Sequence, residues 1–428
     1  MDLKNLIIDT LKSEVVPAIG CTEPVAVALA CAKAKDIIDY NELKKVEVLV
    51  SPNIYKNGLG VGIPNTDLVG LNIAAALGVI GGDSKKNLSV LDGISKDQVN
   101  LAKDLLEKDL LALKIKDTDK KIYVEVNLYG DNKLSKVIIE NKHNNFTYIQ
   151  SDGDILLNKS SDIKNLSTSS NKLFDTTIID LIKEIEDIDC NELQFLLDGF
   201  VMNEKIAEEG LKKKLGIGVG YGFHESMKKG LLSDDLINTA MMLTAAGSDA
   251  RMSGLTMPVM SSNGSGNNGL TAILPIVAYK RKFDANDDKI VKALAISHTI
   301  NCYIKNYIGR LSALCGCGIA SATGASASIA WLMGGNYNQI EGAIQNMIAN
   351  LSGMICDGAK VGCALKLATA ASSAIQSAIL ALNDSITFAK NGIVAEKVED
   401  TILNLGTLSS KGMDTTDKVI LDIMKEMA

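Results

Sequence analysis

Arginine is nearly absent from this chain. Of its 44 Lys plus Arg, only Arg251, Arg281 and Arg310 are Arg, which leaves 41 Lys. Aromatic residues make up 4% of the chain, with one Trp, so core volume has to come from aliphatic and small side chains. The net charge is −7, and no basic cluster carries interleaved aromatics, which argues against a nucleic-acid partner. The three histidines, His143, His224 and His298, are too scattered for a local metal motif. No Ser/His/Asp arrangement and no paired-carboxylate motif emerges. The start, MDLKNLIIDTLKSEVVPAIG, is an amphipathic helix pattern without a basic stretch and apolar block, so no signal peptide is expected. Eight cysteines at irregular spacing are expected to stay reduced in a cytoplasmic protein.

What is present falls into two compositional halves. Residues 1–165 alternate helix and strand patterns. Strands are expected at Lys45–Ser51, Lys121–Leu128, Lys136–Glu140 and Phe146–Gln150, and helices at Val25–Ile38, Leu68–Leu77 and Lys96–Leu113. Thr22 is the expected N-cap of the helix after the Pro17–Pro24 break. Asn158–Ser170, rich in Ser, Asn and Lys, reads as a linker. From residue 170 to 428 the pattern is almost purely helical. The fold class is therefore α+β, a small mixed α/β domain followed by a large all-helical one. No charged residue occurs from Leu311 to Ile340. Segments rich in Ala, Gly and Ser also build membrane bundles. Here the flanks lack an aromatic belt and the loops lack a Lys/Arg bias, so a buried central helix is expected instead.

Cys315, Cys356 and Cys363 lie in the glycine-flanked segments Leu314-Cys315-Gly316-Cys317-Gly318, Ile355-Cys356-Asp357-Gly358 and Gly362-Cys363-Ala364. Two readings are open. They are inert buried thiols among small residues, or thiolates whose small neighbours let them converge on an inorganic core. Structural zinc fits less well, because only Cys315 and Cys317 are paired closely. In a chain that otherwise uses Lys, an Arg in an apolar context suggests a need for its planar fork, so Arg251 and Arg310 are candidates to bind a carboxylate, or to pair with an internal acid such as Asp249 or Asp357. Arg281 reads as solvated surface. The Ser261–Gly269 loop, with Asn263, Ser265 and Asn267, precedes an apolar helix expected to start near Leu270, and such a loop suits a small anion. Asn57–Asn65 is a similar loop; neither matches a nucleotide motif. The Gly216–Gly222 run reads as a flexible turn. Cys21 stands before a helix start, where the helix dipole should lower its pKa and fit it for acid/base or nucleophilic chemistry; a packed thiol is the other reading.

Several of these segments together resemble the L-cysteine desulfidase family, which is related to the iron–sulfur L-serine dehydratases through their alpha-chain domain. They are Pro17-Ala18-Ile19-Gly20-Cys21-Thr22-Glu23-Pro24, Ser51-Pro52-Asn53, Asn57-Gly58-Leu59-Gly60-Val61, Ser248-Asp249-Ala250-Arg251-Met252, Gly264-Ser265-Gly266-Asn267, Arg310-Leu311-Ser312-Ala313-Leu314-Cys315 and Gly353-Met354-Ile355-Cys356-Asp357-Gly358-Ala359. The resemblance runs from about residue 13 to the C-terminus. It implies a [4Fe–4S] enzyme without pyridoxal phosphate. Cys315, Cys356 and Cys363 match the cluster cysteines, Cys317 is a neighbour, and Cys21 matches an N-terminal candidate acid/base. The implied reaction is β-elimination of L-cysteine to sulfide, pyruvate and ammonia. L-serine dehydration and non-enzymatic binding of an amino acid or a cluster are the alternatives. Some related dehydratases use a C-terminal cysteine as a resting ligand; this sequence ends in Met424-Lys425-Glu426-Met427-Ala428, so Cys21, water or another group is expected in that role. Asn57, Arg251, Asn263, Ser265, Asn267 and Arg310 are the expected substrate-binding residues. The protein is expected to be a cytoplasmic homodimer that acts on a small amino acid, without membrane or nucleic-acid partners.

Overall fold

The computed structural model describes residues 2–64, 66, 68–159, 171–413 and 415–427. The expected linker falls mostly on residues 160–170, outside the described residues. The first part of the chain runs α1 (Leu3–Glu14), β1 (Pro17–Ile19), α2 (Thr22–Asp36), β2 (Leu43–Val50), α3 (Pro52–Gly58), α4 (Leu71–Gly81), α5 (Lys96–Glu107), β3 (Leu111–Ile115), β4 (Tyr123–Gly130), β5 (Lys133–Glu140), β6 (Phe146–Ser151) and β7 (Asp154–Asn158). The second part holds α6 (Asn171–Phe174), α7 (Ile178–Asp187), α8 (Cys190–Leu193), α9 (Phe195–Lys212), α10 (Val219–Lys228), α11 (Leu236–Met252), β8 (Pro258–Met260) and α12 (Gly266–Lys282). It continues with α13 (Asp287–Ile308), α14 (Ala322–Leu332), α15 (Tyr337–Leu351), α16 (Cys363–Leu382), α17 (Val398–Thr407) and α18 (Thr416–Met427). The α+β class expected from the sequence is the observed one.

The sheet has the order β3-β2-β4-β5-β6-β7, with β2 and β3 parallel and the other neighbours antiparallel. Alternation sends Val124, Val126 and Leu128 into a core shared with α2 and α4. Gly78 lets α4 approach α2 closely: a β-carbon there would lie 2.4 Å from the Ala28 carbonyl oxygen. The sequence pattern ran the Lys96 helix through to Leu113. The chain instead leaves the helix after Glu107, turns at Asp109 with φ 54, and adds β3 beside β2. Thr22 is the first helical residue of α2 and Cys21 is its cap position, without a side-chain cap bond.

The alternate residues of β4, Tyr123, Glu125, Asn127 and Tyr129, point to the other face of the sheet, and Glu125 is the charged one. Burial pushes the Glu125 carboxyl up, but bonds from Lys116, Lys136 and Tyr123 outweigh it and hold the group at about 2. Lys136 lies 2.7 Å and the Tyr123 hydroxyl 2.6 Å from Glu125. A depressed carboxyl contributes stability above its unfolded pKa and loses it as pH falls through the folded one. Glu125→Gln is expected to cost about 2 kcal/mol at pH 7, a figure reduced because both lysines are partly exposed. Urea unfolding should show that cost shrinking from pH 4.5 towards about 2.

The helical part surrounds α13. Its core includes Ile290, Leu294, Ile300 and Ile304 of that helix, together with residues of α12, α14 and α16. This core also takes in Leu6, Ile7, Ile8, Leu11 and Val15, so α1 packs on the helical part. Next, β1 pairs antiparallel with β8, Pro17 opposite Met260. The chain then crosses to the sheet part at Gly20 and Cys21, which places Cys21 between the two. Among the described residues, α16 is the one helix long and apolar enough to cross a membrane; it packs against α11, α14 and α15. The glycine run at 216–222 is no free turn. It leads into α10, and Gly220 lies so near α11 that a β-carbon would sit 2.4 Å from the Ala246 nitrogen.

Candidate active site

Two loops and a helix start bring the cysteines together. Leu314 and Ile355 form an antiparallel bridge. It is closed by hydrogen bonds from the Cys315 amide to the Met354 carbonyl, 2.8 Å, and from the Cys356 amide to the Ala313 carbonyl, 2.7 Å. Cys363 opens α16, with its amide on the Lys360 carbonyl. After Cys315 the chain takes a π-helical turn, Cys317–Ser321. Gly318 fits against Met354 there; a β-carbon would lie 2.2 Å from its sulfur. The four thiols are within electrostatic reach of one another. Cys317 donates to Cys315, which lowers Cys315 and raises Cys317. Burial, then charge on Cys315, raises Cys356, and burial pushes Cys363 up to about 12.

Among the described residues, no three His, Cys, Asp or Glu side chains form a group that could hold a single metal ion. Such an ion draws every donor to about 2.3 Å from one centre. A multi-iron core asks for less, because each thiolate binds a different iron. Cys315, Cys356 and Cys363, on three separate segments with small neighbours, fit that second requirement.

A second group lies between the two parts of the chain. Arg251, at the end of α11, is 5% exposed. Its Nη1 donates to Asn267 Oδ1 at 3.0 Å and to Met252 Sδ at 3.4 Å, and its Nη2 donates to the Gly20 carbonyl at 3.0 Å. Asn267 Nδ2, at 3.5 Å, and Cys21 Sγ, at 3.8 Å, also donate to Met252 Sδ. Arg251 Nε finds no acceptor among the described residues. Several good donors thus share one thioether, a weak acceptor. Burial pushes the Cys21 thiol up to about 11, against the pull of Arg251. The depression expected from the helix dipole is reversed, because desolvation of a buried thiolate costs more than a helix end returns. Cys21, Val61 and Met252 form a small apolar cluster with Cys363 packed on it, which links the two groups.

The remaining candidates are spread around these groups. Asn57, on α3, is buried, and its Oδ1 finds no donor among the described residues. The loop beyond it docks on the helical part through the Gly62 amide and the Met252 carbonyl, 3.2 Å. α12 starts at Gly266, earlier than expected, and Ser265 Oγ caps it by accepting from the Asn268 amide at 3.4 Å. Asn263 turns towards Cys302, its Nδ2 3.1 Å from the sulfur. Arg310 pairs with Glu14 and not with Asp249 or Asp357. Asp249 instead accepts from the Gly220 amide at the start of α10, and Asp357 pairs with Lys360 and Lys366. Arg251 and Asn267 are therefore joined directly, whereas Asn263 and Arg310 have other partners.

Sequence reasoning passed over two lysines. Lys305 is 5% exposed; its Nζ donates to the Arg310 carbonyl at 2.7 Å, and burial pulls its pKa down to about 8. Lys56 is 2% exposed and donates to the Cys356 carbonyl at 3.0 Å. One signal was available for Lys305. His298, Asn301, Cys302 and Lys305 recur at helical spacing and share one face of α13.

A thiol cluster joined to a buried guanidinium, at the junction of a mixed sheet and a helical bundle, defines the class of site. The family model for serine dehydratase alpha chain matches residues 85–422, and the chain belongs to that family. It is 61% identical over 427 residues to an Alkaliphilus oremlandii protein named UPF0597 protein, covering 100% of this chain and 99% of that one. A UPF0597 protein of Clostridioides difficile is 57% identical over 423 residues, 98% of this chain and 99% of the relative. One from Clostridium tetani is 43% identical over 425 residues, 99% of each.

Proposed function

We propose that this serine dehydratase-like protein is a carbon–sulfur lyase, an L-cysteine desulfidase, that splits L-cysteine into sulfide and aminoacrylate, which water converts to pyruvate and ammonia. The observation that carries the reading is the donor set around Met252 Sδ. Arg251 Nη1 and Asn267 Nδ2 point at a weak acceptor, and Arg251 Nε has none among the described residues. A substrate carboxylate would satisfy all three far better. Asn57 Oδ1, a buried acceptor without a donor among the described residues, is assigned to the ammonium.

Cys315, Cys356 and Cys363 would hold a [4Fe–4S] cluster, and pyridoxal phosphate has no part in this proposal. Such a cluster, when bound, supplies a Lewis-acidic iron for the carboxylate and the leaving atom. The chain's own residues orient the substrate and handle protons. Arg251 and Asn267 fix the carboxylate, and Ser265 and Asn263 hold the loop that carries Asn267. Cys21, with its thiol raised to about 11, holds its proton at neutral pH. It is therefore set to give its proton to the departing sulfur, and the Cys21 thiolate so formed takes up the proton lost from the α-carbon. Thiolate is a softer ligand than hydroxide, so iron at this site would favour a thiol substrate over a hydroxyl. The family match favours a second reading, dehydration of L-serine. In either case we place the protein in the cytoplasm as a homodimer acting on a free amino acid. Eight free thiols suit a reducing compartment.

The test is anaerobic reconstitution with iron and sulfide, followed by assays on L-cysteine and L-serine. An absorbance band near roughly 400 nm and equal yields of sulfide and pyruvate are expected. Cys356→Ala should lose both, and Cys21→Ser should lose about 100-fold in turnover while keeping the band. Clustered protein that released no sulfide would refute the desulfidase, and faster turnover of L-serine would establish the dehydratase.

A further inference from the structure

Lys56 meets three separate parts of the chain. It sits on α3 in the sheet part, 2% exposed. Its ammonium donates to the Cys356 carbonyl at 3.0 Å and to Asp417 Oδ1 at 2.6 Å. Asp417 lies in the first turn of α18, the last helix, and its Oδ2 accepts from Asn53 Nδ2 at 3.3 Å. The backbone of Lys56 is engaged as well. Gly358 has φ 95, and a β-carbon on it would lie 2.3 Å from the Lys56 carbonyl oxygen, so the turn after Cys356 rests on Lys56. One lysine thus grips the Cys356–Gly358 turn at both ends. A carboxylate from the last helix neutralises the charge that does so.

We propose that Asp417 is a positioning residue for the cysteine site, and that α18 acts through it as a latch. A buried ammonium is stable only while it is paired. With Asp417 in place, Lys56 stays buried and the Cys356 turn is held. Without Asp417, Lys56 leaves for water and the turn is released. Among the described helices and strands α18 packs chiefly on α3, so the latch depends on few other contacts. The latch does not depend on which substrate the site takes.

The test uses the full chain without iron and measures alkylation of individual thiols by mass spectrometry, so it needs neither cluster nor activity. Asp417→Asn is expected to speed alkylation of Cys356 about 10-fold or more. Cys190, partly exposed on α8, is the internal control and should keep its rate. Asp417→Glu should restore slow alkylation. If Asp417 acts through Lys56, then Lys56→Met alone and Lys56→Met with Asp417→Asn will share one Cys356 rate. That comparison carries the test even if the single Asp417 variant does not fold. An unchanged Cys356 rate in Asp417→Asn, a parallel rise at Cys190, or a further rise in the double variant would overturn the latch.

Discussion

Arg251→Lys is expected to lower kcat/KM for the amino-acid substrate by about 100-fold or more. Each charge-assisted hydrogen bond contributes about 1.5–3 kcal/mol, and a lysine cannot reproduce the two parallel bonds of a guanidinium to a carboxylate. The loss should fall in kcat/KM rather than in iron content, since Arg251 does not contribute to the thiol set. Arg251 also holds the Gly20 carbonyl, so a fall in melting temperature has to be separated from a loss of binding. Gly266→Ala makes that separation. Its β-carbon would lie 2.4 Å from Arg251 Nε and 2.8 Å from the guanidinium carbon, so it displaces the fork without removing it. Steady-state kinetics should show both variants impaired, with the cluster absorbance of each retained. If both kept wild-type kcat/KM, Arg251 would not be the carboxylate site.

Arg251 was legible in the sequence because arginine is rare. Lys56 and Lys305 were not, because 41 lysines hide the two that are buried among the described residues. Burial of a lysine is a tertiary property, and no local pattern around Lys56 announces it. The strands β2, β4, β5 and β6 were legible through alternation, which one buried sheet face imposes. β3 was missed because its five residues follow a helix with a compatible period. What ends that helix is a left-handed Asp109, and nothing in Leu105–Leu111 requires it.

The placement of α1 illustrates a second limit. Its amphipathic pattern gives a helix and a buried face, but periodicity does not say which core receives it. Pairing of β1 with β8, about 240 residues later in the chain, decides that. The same contact draws Cys21 towards Arg251. The sequence therefore identified the participants of the candidate site better than their contacts. It joined Arg310 to the carboxylate group, whereas Glu14 at the end of α1 takes it. It expected a depressed Cys21, because a helix start is visible in sequence and complete burial is not.

Acidification should loosen the site loop through His298. This side chain is 1% exposed on α13, and burial holds its pKa at about 3. Its Nδ1 lies 3.0 Å from Ser262 Oγ, which also accepts from Asn301 Nδ2 at 2.8 Å. A neutral imidazole can accept the Ser262 hydroxyl proton at Nδ1, and burial favours that form. An unfolded chain takes up this proton near 6.5, whereas the folded one does so only near 3. The contribution of His298 is complete above pH 6.5 and is lost as pH falls towards 3. At pH 4 the loss is about 3 kcal/mol. Ser262 belongs to the loop that carries Asn263, Ser265 and Asn267, so the site should open before the fold as a whole. Urea unfolding at pH 7 and pH 4 measures the stability change, and amide exchange at residues 261–269 locates it. His298→Gln, which keeps an acceptor for Ser262 and does not titrate, should flatten the difference by about that amount. An equal acid-induced loss in the variant and the wild type would show that another group carries it.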